Sequence, residues 1–112
     1  MALPEHDVER LRDYCQAKIP DHALDQVRIE LELSPGAATI VEVRPPWRED
    51  YGPKWTRSPI ARLRYAQRTS TWTLYARDRH QRFHRYPFVE PSADVTALIA
   101  EIDRDPTCIF WG

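Results

Sequence analysis

Apolar and polar positions alternate along two stretches of the chain. Val27, Ile29, Leu31 and Leu33 are interleaved with Arg28, Glu30, Glu32 and Ser34. A period of two, with one apolar and one charged row, predicts a strand buried on one face only. Ser34-Pro35-Gly36-Ala37 reads as a turn, and residues 39–44 (TIVEVR) as its hairpin partner. The second alternation sets Ala61, Leu63 and Tyr65 against Arg62 and Arg64. Two further strands, TWTLYAR and RFHRY, follow it, with turns at 67–70 and 78–81. Helical spacing brackets this region. Val8, Leu11, Cys15 and Ile19 predict a helix over 5–18, between Pro4 and Pro20. Val95, Leu98, Ile99 and Ile102 fall at i, i+3, i+4 and i+7 and predict a final helix. Ser92 is expected to cap it, with Asp94 in its first turn and Asp105-Pro106 at its end. The fold class that follows is α+β: one domain over residues 1–112, with an antiparallel sheet of about five strands flanked by an N-terminal and a C-terminal helix.

The turn lengths predict a register. With residues 67–70 as a four-residue loop, Tyr65 lies opposite Trp72 and Leu63 opposite Leu74, sharing the core face with Ala61. On the outer face Arg64 meets Thr73 and Arg62 meets Tyr75. With 78–81 as a second four-residue loop, Ala76 pairs with Phe83 on the core face, and Tyr75, Arg77 and Thr73 neighbour His84, Arg82 and Tyr86 outside. The expected outer face is therefore Arg62, Arg64, Tyr75, Arg77, Arg82, His84 and Tyr86. Arg85 falls toward the core, where an arginine fits badly, so a sheet margin or a bulge is expected there.

Charge sharpens this picture. The chain has 112 residues and a net charge of -1, yet eight arginines and a single acid, Asp78, lie between Arg57 and Arg85. Both flanking thirds are acidic. Arginines track phosphates, and flat side chains stack on unpaired bases. The outer face is thus a candidate platform for single-stranded nucleic acid or another polyanion. The same charges also fit a purely structural account, in which acidic helices lie beside a basic sheet and arginines stack on aromatics. Residues 45–56 (PPWREDYGPKWT) form a loop rich in proline and aromatics that is a candidate cover for this face. A tail of Ile109, Phe110 and Trp111 is expected to pack, since a dangling apolar patch of that size usually has a partner.

These segments also carry a resemblance. Trp72-Thr73-Leu74-Tyr75-Ala76-Arg77, Phe83-His84-Arg85-Tyr86, Arg44-Pro45-Pro46-Trp47 and the terminal Asp105-Pro106-Thr107-Cys108-Ile109-Phe110-Trp111-Gly112 are similar to a small bacterial family, domain of unknown function 3024. Ala76 stands where that family commonly has an aromatic, and Ile109 separates Cys108 from Phe110, which often adjoin. The resemblance implies a short protein of helix, sheet, helix order and supplies no catalytic residue.

Candidate chemistry is sparse. His80 and His84 have a helical zinc spacing, but in a strand they stand about 13 Å apart, too far for one metal. No metal or cofactor is expected. Three scattered glycines make no phosphate loop. Cys108 and His84 have no feature that singles them out as nucleophile and base, and Cys15 reads as a small core residue. No apolar run approaches the roughly 20 residues of a membrane span, and the charged N-terminus has no signal core, so a cytoplasmic protein with reduced cysteines is expected. The leading expectation is a non-enzymatic binding module. A small enzyme setting His84 and arginines on an anionic substrate, or a protein–protein interaction domain, are the alternatives. Oligomeric state is not legible.

Overall fold

A computed structural model describes residues 3–46 and 54–112. Helix α1 (Glu5–Lys18) leads, through a single 3₁₀ turn at Asp21–Ala23, into β1 (Arg28–Ser34) and β2 (Ala37–Arg44). Strands β3 (Thr56–Ala66), β4 (Thr71–Arg77) and β5 (Phe83–Arg85) follow, and α2 (Val95–Arg104) closes the order. The strands form one antiparallel sheet in sequence order, β1-β2-β3-β4-β5, an open meander. This is the expected α+β arrangement.

Both helices bury their apolar stripes in one core against one face of the sheet. Leu11 and Cys15 of α1 and Val95, Leu98 and Ile102 of α2 meet Ile40, Leu63, Trp72 and Leu74. α1 opens on Glu5 and Asp7, acids that suit the positive end of its dipole, and ends where Pro20 holds Ile19 extended. Asp7 also accepts a hydrogen bond from Trp72 Nε1 at 2.8 Å, tying α1 to β4. At its other end, Tyr14 Oη and Lys18 Nζ both donate to Asp103 of α2.

The cap of α2 differs from expectation. Asp94, not Ser92, is the N-cap and accepts from the Thr96 N–H. Ser92 is engaged as an extended residue, its backbone exchanging hydrogen bonds with Trp72, which delays the helix by two positions. Asp105 ends α2 in the left-handed region, at φ 46°. Its carboxylate accepts the N–H groups of Phe110, Trp111 and Gly112, folding the tail back so that Phe110 is buried against Tyr86.

The β3–β4 register is the expected one, with Tyr65 opposite Trp72 and Arg62 opposite Tyr75. Between β2 and β3 the ladder slips at Ile40/Val41, so that Ile40 faces Ala61 and Val41 faces Pro59. Pro59 has no N–H to donate and fits such an irregularity.

The β4–β5 register departs from expectation by one residue: Tyr75 faces Arg85, Ala76 faces His84 and Arg77 faces Phe83. The cause is local. Asp78 Oδ1 accepts from the N–H groups of both His80 and Arg82, while the Asp78 N–H donates to the Arg82 carbonyl. That pattern needs five residues, 78–82, with Gln81 at φ 66°. One extra residue in a turn sends every following side chain to the other face.

Candidate functional site

The outer face, opposite the helices, carries Arg62, Arg64, Tyr75 and Arg77 as expected, and Phe83 and Arg85 in place of the rest. Tyr86 is 1% exposed and belongs to the core, where its hydroxyl donates to Glu101 at 2.7 Å. His84 shares the core-side parity of Ala76, at the sheet margin. Arg82 lies in the turn and joins no strand. The single-residue change in turn length accounts for all three corrections. Arg85, misplaced in the expected register, was the signal that the turn is longer.

Across the strands, Thr39, Arg62, Tyr75 and Arg85 form one row. Each arginine is held. Arg62 Nε donates to Thr39 Oγ1 at 3.1 Å, and its guanidinium carbon lies 4.3 Å from the Phe83 ring centroid. The guanidinium of Arg64 stands 5.2 Å from the Tyr75 ring, and Arg77 Nη1 donates to the Pro59 carbonyl at 2.7 Å. Such stacking contributes about 0.5–1 kcal/mol at exposed positions and fixes the planar group in place.

The acids bordering this face are engaged elsewhere. Arg57 binds Glu30 at 3.0 Å and Glu32 at 2.8 Å. Arg57 lies on β3 and both glutamates on β1, so its side chain crosses β2 above the buried Val41 and Val43. Arg85 pairs with Glu90 at 3.2 Å, an exposed contact of little energy. Among the described residues Arg62, Arg64 and Arg77 have no carboxylate partner. Arg62 and Arg64 line a notch of about 220 Å³ with Ser34, Gly36 and Ala37, at the tip of the β1–β2 hairpin.

Of the aromatic loop, Trp55 receives the Arg28 guanidinium at 4.4 Å, an instance of the structural stacking expected for this region. Trp47 and Tyr51 lie outside the described residues.

His84 stands apart from this row. Its Nε2 meets Asp78 Oδ2 at 2.6 Å. The Asp78 carboxylate is held at about 2, below the usual aspartate value, first by the Arg82 N–H and then by His84 and the His80 N–H. Cys15 is buried and its thiol is pushed up to about 12 by desolvation, whereas Cys108 is exposed. Both cysteines are free. Among the described residues no group of three or more His, Cys, Asp or Glu is placed to hold a metal ion, and no helix is long and apolar enough to cross a membrane.

Fold and face together define a two-layer α+β domain that covers one side of its sheet with helices and sets a row of braced arginines on the other. The chain belongs to the family described as Domain of unknown function (DUF3024), whose model matches residues 2–112. Comparison with curated proteins and with solved structures found no match.

Proposed function

We propose that this domain is a binding module whose outer sheet face takes an extended polyanion, and that the polyanion is single-stranded nucleic acid. The observation that carries the reading is the state of Arg62, Arg64 and Arg77. All three lack a carboxylate partner among the described residues, and Arg62 and Arg77 are fixed by hydrogen bonds while Arg62 and Arg64 rest on aromatic rings. A flexible arginine loses rotamer freedom when it binds, and one already braced loses less. Arg62 and Arg64 stand two residues apart on one strand, about 7 Å along it, so they offer successive contacts to a backbone running beside β3. The rings of Tyr75 and Phe83 already lie against guanidiniums. A base therefore stacks on the outward side of the arginine plane, an arrangement that single-stranded RNA recognition uses widely. A small enzyme combining His84 with Arg62 and Arg64 finds no support in this arrangement, because the sheet separates them.

The test is fluorescence anisotropy with a labelled single strand over a salt series. Three phosphate contacts give a slope of roughly -2 in log K against log salt, from about -0.7 per contact. Arg64→Glu, at an exposed position, is expected to weaken binding and flatten the slope while leaving the melting temperature within about 4 °C of wild type, the scale of one lost stacking contact. Adding Arg62→Glu should weaken binding further, at some cost in stability from the lost contacts to Thr39 and Phe83. Absence of salt-sensitive binding at low ionic strength, or equal binding by the Arg64 variant, refutes the proposal.

A further inference from the structure

On the core side of β5, at the open edge of the sheet, lies a cavity of about 180 Å³ whose lining includes Ala76, Asp78, His84, Tyr86, Phe88 and Ile109. Its walls are apolar. Phe88 is 68% exposed and Ile109 44%, and Phe88 packs edge-on against Tyr86 with ring centroids 5.4 Å apart. Two large apolar side chains turned to water around one hollow call for an occupant. At its margin Asp78, itself fixed by the N–H groups of His80 and Arg82, sets the His84 ring.

We infer that this cavity takes one unstacked base, of pyrimidine size, from the strand that crosses the outer face. The inference rests on the proposal above and names the base-recognition element of the same surface. Size is the first argument: an apolar cavity of about 150 Å³ holds one benzene-sized ring, so this one admits a single ring and not a stacked pair. Position is the second. Arg85 borders the cavity and stands in the outer row beside Tyr75, so the hollow adjoins the cationic face. β5 is only three residues long and, among the described residues, has no strand beyond it. A strand leaving Arg62 therefore meets Arg85, turns over this short edge and presents its next base to the hollow. The exposed contact of Arg85 with Glu90 is weak enough to yield to a phosphate. A base also has a polar edge for the fixed His84 ring, which an aliphatic side chain lacks.

The test compares a labelled oligodeoxythymidine with an abasic strand of equal length at one low salt concentration. Wild type is expected to bind the thymidine strand about tenfold or more tighter, the effect of at least one stacked base. Phe88→Ala and, independently, Ile109→Ser should each remove about tenfold of affinity for the thymidine strand. Neither should change affinity for the abasic strand or the salt slope. If both variants bind the thymidine strand as wild type does while Arg64→Glu still flattens the slope, the cavity assignment falls and the outer-face reading stands. If wild type binds neither strand, both fall. Capture of an acidic peptide bearing one phenylalanine, lost in Phe88→Ala and without any thymidine effect, assigns the hollow to a protein partner and overturns the inference.

Discussion

Tyr86→Phe tests the core placement on which the composition of the proposed binding face depends. Tyr86 is buried, and its hydroxyl donates to Glu101, whose other carboxylate oxygen receives Arg104. Removing one oxygen keeps the ring contacts with Phe88 and Phe110. It leaves a buried carboxylate with Arg104 as its remaining side-chain partner. A hydrogen bond to a charged group contributes about 1.5–3 kcal/mol. For a chain of this length about 4 °C of melting temperature corresponds to 1 kcal/mol, so a fall of roughly 6–12 °C is expected. Urea unfolding checks it, with the midpoint lowered and the denaturant slope unchanged. The alkaline limb gives a second readout. Burial first, and the Glu101 carboxylate next, hold the phenol above its ordinary value of 10.0. In wild type that stability is present below pH 10 and is lost as pH rises from there toward the folded value; in Tyr86→Phe this component is absent. An unchanged midpoint would show Tyr86 free of Glu101.

Three further outcomes concern the tail and the cysteines. Deleting residues 109–112 removes the buried Phe110 and the N–H groups that Asp105 holds, and should cost about 3 kcal/mol or more, read as a fall of over 10 °C in melting temperature; an unchanged melting curve refutes a structural tail. Iodoacetamide at neutral pH should modify Cys108 and spare Cys15, as judged by mass spectrometry of the peptides. Because the Cys15 thiol ionises near 9.0 when free and near 12 when folded, stability should also decline between those values, and Cys15→Ala should lose that decline.

The elements were legible because each carries its own period. The two-residue alternations of β1 and β3 and the i, i+3, i+4, i+7 stripe of α2 state which side faces the core without reference to any partner. Pairing was legible at the 67–70 turn, where the side-chain bonds of Thr69 to Ala66 and Thr71 leave the loop at four residues and Tyr65 opposite Trp72. It failed at 78–82, where Asp78 collects two backbone N–H groups and makes the turn one residue longer. An aspartate opening a turn is a familiar local motif, but how many residues it encloses depends on which downstream N–H groups it reaches. That is a matter of geometry which composition does not encode. Arg85 carried the missing information: an arginine assigned to a core row is a more expensive error than one extra turn residue, and weighing those two costs would have selected the observed register.

The same shift changes what the face offers a ligand. In the four-residue register Tyr75, His84 and Tyr86 would have presented three rings to solvent beside the arginines. In the observed one the rings outside are Tyr75 and Phe83, each already against a guanidinium. Aromatic surface becomes the support and the guanidinium planes become the contact layer, so salt should govern affinity on this face more than base identity does. On the proposed reading, base identity is left to the hollow behind β5, where His84 stands. The one aspartate that lengthens the turn thus separates a cationic track on one side of the edge strand from an apolar hollow on the other. Asp78→Ala would release His84 and both N–H groups together, and its effect on thymidine over abasic preference should exceed its effect on the salt slope.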